Sequence, residues 1–109
     1  MWRLAAMFAL TGGVAVADGA FEPLSGEEIR AALTDAVLEY DRGWQDFRAS
    51  GRTLYHVGGD SWGYWRVEGD QYCSQWPPSE HWDCYDMARD GDVLRFISSQ
   101  GHTTDGRLR

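Results

Sequence analysis

The spacing of hydrophobic and polar positions changes period once along this chain. Ile29, Ala32 and Leu33 recur at i, i+3 and i+4, the spacing of one face of a helix. They follow Ser25 and Glu28, an S-x-x-E capping box in which each side chain satisfies an amide that the first helical turn leaves without a partner. Leu24 and Ile29 are placed as the matching hydrophobic staple. The pattern predicts a helix from Gly26 to about Thr34. It is short, so it must lie on other structure to be stable.

Beyond Thr34 the pattern turns to short runs of strand-forming residues separated by turn clusters. It predicts strands over 37–40, 44–47, 53–57, 61–67, 71–76, 82–88 and 93–98, with a last short one around Arg107 and Leu108. The turns between them include Asp41-Arg42-Gly43, Gly58-Gly59-Asp60, Glu68-Gly69-Asp70, Pro77-Pro78-Ser79 and Asp90-Gly91-Asp92, residue types that accept the backbone angles of tight turns. The expected fold is therefore mainly β, an antiparallel meander or small open barrel of seven or eight strands with one N-terminal helix. Curling or closing is how such a sheet removes its exposed edges.

The first residues read differently. Arg3 supplies a positive start, Leu4–Leu10 an apolar run, and Ala15-Val16-Ala17 a small-residue cleavage site. Residues 1–17 are expected to be a signal peptide and 18–109 a single β-rich domain, periplasmic or secreted. The apolar run is too short to span a bilayer. Export changes the reading of Cys73 and Cys84, because an oxidising compartment makes pairing the default. A hairpin centred between Pro78 and Ser79 sets the two cysteines opposite each other, Tyr72 opposite Tyr85, and Trp76 opposite His81.

The whole chain carries a formal charge of −7, and loss of Arg3 with the signal makes the remainder one unit more negative. All of its positive side chains are arginine. A net negative surface argues against nucleic acid and anionic membranes as partners.

The densest chemical signal is aromatic. Trp62, Tyr64, Trp65, Tyr72, Trp76, Trp82 and Tyr85 lie close together in sequence. Strand alternation puts Trp62, Tyr64 and Arg66 on one face, with Trp65 and Val67 on the other. Large rings on both faces of a small sheet point to a binding surface, and Trp62, Tyr64, Trp65, Trp76 and Trp82 are the expected ligand-binding residues. The competing reading makes these rings ordinary core and cover. His56, His81 and His102 lack the ligand spacing of a zinc site, so no metal is expected. Asp83 and Asp86, with His81, are the candidates for acid–base work. No nucleophile elbow, phosphate loop or dinucleotide fingerprint occurs.

The segments P-L-S-G-E-E-I-R at 23–30, W-G-Y-W-R-V-E-G-D-Q-Y-C at 62–73, W-P-P at 76–78, C-Y at 84–85 and R-D-G-D-V-L-R-F at 89–96 resemble a group of short exported alphaproteobacterial proteins of unsettled function. The resemblance implies a fold and carries over no functional residue. A dihydrodipicolinate reductase label attached to similar chains finds no support in these residues, since that activity needs a βαβ unit with G-x-G-x-x-G opening a helix. The sequence thus leads to a non-enzymatic periplasmic domain, expected to be a monomer without cofactor, that binds an unknown protein or small molecule through its aromatic-rich sheet. The alternatives are a small envelope hydrolase using an acid pair or His–acid pair, and a structural component of an envelope complex.

Overall fold

The computed structural model of the chain describes residues 20–109. The expected signal peptide and its cleavage site lie outside these residues. The elements run β1 (Glu22–Pro23), α1 (Gly26–Leu33), β2 (Ala36–Glu39), β3 (Trp44–Phe47), β4 (Arg52–His56), β5 (Asp60–Glu68), β6 (Gln71–Gln75), β7 (Trp82–Asp90), β8 (Val93–Ile97) and β9 (Thr103–Leu108).

Every neighbouring pair from β2 to β9 is antiparallel, and β9 returns to pair with β2. The meander is therefore a closed up-and-down barrel of eight strands. Closure leaves no free edge along the ring. The closing seam is short, Leu38 against Leu108 and Glu39 against Arg107. It is extended by the Arg109 amide donating to the Val37 carbonyl at 3.0 Å and by an Arg109–Glu39 ion pair. β1 is the added strand. It pairs Glu22 with Arg89 and Pro23 with Ala88, occupying the edge of β7 beyond the point where β6 begins. Proline is tolerated there because an edge position needs no donor.

The helix forms as its caps dictate. The Glu28 amide donates to Ser25 Oγ at 3.2 Å, and the Ser25 amide donates to Glu28 Oε1 at 2.8 Å. Its buried face, Ile29 and Leu33, joins one cluster with Phe47, Trp65, Met87 and Leu94 from the inward faces of the strands. The helix thus stops one end of the barrel, and the core lies between it and the barrel's midsection. It is anchored at the β5–β6 turn, where the Gly26 amide donates to Asp70 Oδ1 at 2.8 Å. A Cβ at Gly26 would fall 1.9 Å from the Gly69 carbonyl oxygen, so only glycine lets the helix sit this close.

The disulfide takes the expected register. Cys73 pairs with Cys84 and Tyr72 with Tyr85 in the β6–β7 ladder, and the two sulfurs are bonded. The ladder stops at Gln75–Trp82, one step before Trp76 would face His81. Trp76 instead turns over the neighbouring strand, where Gly63 leaves room for its ring.

Candidate functional site

With the helix at one end, the other end of the barrel opens into a cup of about 540 Å³. Residues of seven strands, β3 to β9, and the segments after β2 and β6 line it. At the rim, Tyr40, Tyr55 and Trp76 form an arc of rings, with centroids 5.9 Å apart for Tyr40–Tyr55 and 5.9 Å for Tyr55–Trp76. Deeper in the wall stand Tyr72, Tyr85 and Phe96. Phe96 meets Tyr72 at 5.1 Å and Tyr85 at 6.3 Å, both edge to face, the arrangement that ring quadrupoles favour. Phe47, fully buried, packs edge-on beneath Tyr72 at 5.8 Å and closes the floor.

Two small residues shape this space. Gly63 lies under Trp76, and a Cβ there would come within 2.6 Å of the indole and 2.7 Å of the Gln75 carbonyl. Gly106 lies under Tyr40 in the same way, its Cβ position 2.8 Å from the phenol ring. Both rings lean on bare backbone, which holds them upright around the mouth.

The polar groups of the cup form one network. The Tyr40 hydroxyl donates to Gln45 Oε1 at 2.7 Å, and Gln45 Nε2 donates to Thr53 Oγ1 at 2.9 Å. Gln45 Nε2 also reaches the Tyr72 hydroxyl at 3.5 Å. Thr53 Oγ1 donates to the Asp46 carbonyl at 2.5 Å. Trp76 Nε1 donates to Ser74 Oγ at 3.2 Å. Burial pushes the Tyr40 and Tyr72 hydroxyls far above the ordinary phenol range, because a phenolate there would lose its hydration. Tyr85 is raised too, first by burial and then by the neighbouring Asp83 carboxylate. No Asp, Glu, Arg, Lys or His lines the cup among the described residues. The site is a neutral, aromatic, hydroxyl-bearing cavity inside an acidic protein.

The five aromatic residues expected at a binding surface are distributed over the barrel rather than gathered. Trp76 stands in the rim of the cup. Trp65 is core, 7% exposed, with its Nε1 donating to the Arg48 carbonyl at 2.9 Å. Trp62 borders the cup, but its ring lies under the Arg48 and Arg52 guanidinium groups, 4.7 and 4.5 Å from its centroid. Tyr64 is exposed beside Arg52, and Trp82 is covered by Arg66 at 3.8 Å. Each of these outer rings holds an arginine, an arrangement worth about 0.5–1 kcal/mol at an exposed position. The cup residues that sequence reasoning missed are Tyr40, Gln45, Tyr55, Ser74 and Phe96; Tyr72 and Tyr85 stood in the aromatic cluster without being singled out.

The candidates for other chemistry are separated. Asp83 and Asp86 are three apart on β7, and an odd spacing on a strand sends them to opposite sides of the wall. Asp83 makes an exposed pair with His81 at 3.2 Å, and Asp86 accepts from Gln71 Nε2 at 3.2 Å. Among the described residues the only grouping of metal-ligating atoms is Glu68 with Cys73 and Cys84, whose sulfurs are joined to each other and offer no thiolate. A second hollow of about 500 Å³ lies between β1 and the barrel wall, beside Phe21, Leu24 and Arg95. Arg95 fills part of it, bonding Asp105 at 2.8 Å and covering Phe21 at 3.9 Å. No helix among the described residues is long and apolar enough to cross a membrane.

No protein-family model, no curated protein and no solved structure matches this chain.

Proposed function

We propose that this protein is an exported, non-enzymatic binding domain that holds a small molecule in the open end of its barrel. The observation that carries this reading is the cup itself. Its volume falls within the range of about 300–1,000 Å³ typical of small-molecule sites, and it combines apolar walls with a few convergent polar groups. An eight-stranded barrel is also the size that either fills with side chains or keeps room for one small ligand. Here the helix-stopped half is filled and the other half is not. The disulfide and the N-terminal pattern together support a periplasmic or secreted setting.

The test uses N-phenyl-1-naphthylamine, a neutral ring compound whose fluorescence rises in apolar surroundings. The protein is expected to bind it in the cup, and Trp76→Ala is expected to weaken capture about tenfold or more by removing a rim ring. Tyr64→Ala and Trp82→Ala, on the outer wall, should leave capture unchanged. Loss of capture in those two variants with retention in Trp76→Ala would move binding to the outer face and overturn the assignment.

A further inference from the structure

The hydroxyl groups at the base of the cup do not balance. Tyr72 and Ser74 are inward-facing neighbours on β6, 4% and 3% exposed, and both line the cup. The Tyr72 oxygen accepts from Gln45 Nε2, and Ser74 Oγ accepts from Trp76 Nε1. Among the described residues, neither hydroxyl donates to a carbonyl, a carboxylate or an amide oxygen. Ser74 lies close enough to Tyr72 for one of the two to donate to the other. Even so, a bond between them uses one of the two protons, and the other is left without an acceptor among the described residues, on a side chain that lines the cup.

The neighbouring groups cannot absorb it. Gln45 Oε1 accepts from the Tyr40 hydroxyl and Thr53 Oγ1 accepts from Gln45 Nε2 while donating to the Asp46 carbonyl, and neither oxygen is bonded to the Tyr72 or Ser74 hydroxyl. The Gln45 amide orientation follows from these bonds, since Oε1 faces a hydroxyl donor and Nε2 faces acceptors. The network therefore ends in a donor. The cup around it is lined mainly by flat rings, and among the described residues no charged side chain lines it.

Resting on the reading of the cup as a binding site, we infer that its ligand is a neutral, planar molecule that presents a hydrogen-bond acceptor, a carbonyl oxygen or ring nitrogen, to Tyr72 and Ser74. A flat guest without an acceptor displaces water and strands the proton, at the full cost of an unmade buried hydrogen bond. A site built to bond a polar atom rejects the analogue lacking it more strongly than an apolar site rejects a misfit. A carboxylate could accept the proton but would bring a charge into a cavity with no cation to meet it.

Three two-ring probes of nearly equal shape decide the matter: naphthalene, quinoline and 2-naphthoate, titrated at neutral pH into the disulfide-bonded protein. Binding is followed by amide and indole NMR shifts of cup residues, Trp76 and Tyr85 foremost. Quinoline is expected to bind in the cup about tenfold or more tighter than naphthalene, and 2-naphthoate more weakly than quinoline. The single variants Tyr72→Phe and Ser74→Ala each keep one donor and part of the preference, and the double variant removes it. Equal affinity of quinoline and naphthalene in the wild-type cup would overturn the ligand class while leaving the site in place. Preference for 2-naphthoate would overturn it as well. Failure of all three to shift cup resonances would count against the binding site itself, and the wild-type series gives these answers without any variant.

Discussion

At the scale of single residues, the cup is held in shape by groups that must stay neutral and by places where a side chain must be missing. Tyr40 and Tyr72 keep their protons in the folded protein well beyond the ordinary phenol pKa near 10. Below about pH 10 both folded and unfolded chains hold these protons, so the tyrosines leave stability flat. Above it the unfolded chain ionises while the folded one does not, and stability falls as pH rises. The urea midpoint should therefore hold from about pH 7 to 9 and drop toward pH 11. Tyr72→Phe, less stable at neutral pH, should show the shallower drop. An alkaline slope that the substitution leaves unchanged would contradict the account. Gly63→Ala tests the missing side chain. The Gln75 carbonyl beside it is fixed in the β5–β6 ladder, so the indole of Trp76 must give way. A loss of about 1–3 kcal/mol in urea unfolding is expected, with displaced Trp76 indole signals.

At the scale of elements, the local rules explain most of what forms. The capping box, the staple position and the i, i+3, i+4 face locate α1, which ends at Leu33, one residue short of the expected Thr34. The strands fall within a residue or two of the expected runs, except that β9 begins at Thr103. Thr103, Thr104 and Asp105 carry no apolar alternation of their own, and it is pairing along β8 that makes them a strand. β1 was likewise invisible, since Glu22 and Pro23 become strand only because β7 offers them an edge. Two expectations belong here. Ser25→Ala should cost about 1 kcal/mol by removing the cap, and Gly26→Ala more, because the Gly69 carbonyl blocks the new methyl. Equal losses in thermal or urea unfolding would show that the helix is not seated on the β5–β6 turn. Replacing both cysteines by alanine should cost about 2–4 kcal/mol, read from the same unfolding curves under oxidising conditions. Alanine is the better substitute because Cys73 is fully buried and a serine would add an unpaired hydroxyl.

At the scale of the whole molecule, closure is what makes a cavity out of scattered residues. Alternation shows that Tyr72 and Ser74 share one face of β6 and that Cys73 takes the other, but not which face turns inward. That choice comes from the curl of the sheet, with the helix-borne Ile29 and Leu33 drawn to the same side as Phe47, Trp65 and Leu94. Once the inside is fixed, Tyr40 of the segment after β2 meets Tyr55 of β4, and Phe96 of β8 meets Tyr72 of β6, contacts that no local pattern contains. The aromatic density of residues 62–85 marks strands that line part of the cup but could not separate rim from core from outer wall, because ring size is the same signal in all three. Gly63 was the usable clue: a glycine within a strand marks a place where something large must approach the backbone.

The proposed binding site is tested most directly by native mass spectrometry of the protein recovered from its own cellular source, wild type beside Trp76→Ala. The wild type is expected to carry one small neutral molecule and the variant to have lost it, with the disulfide intact in both. A wild-type protein that flies bare, or an added mass that survives unchanged in Trp76→Ala, would contradict the assignment of the cup as the functional site.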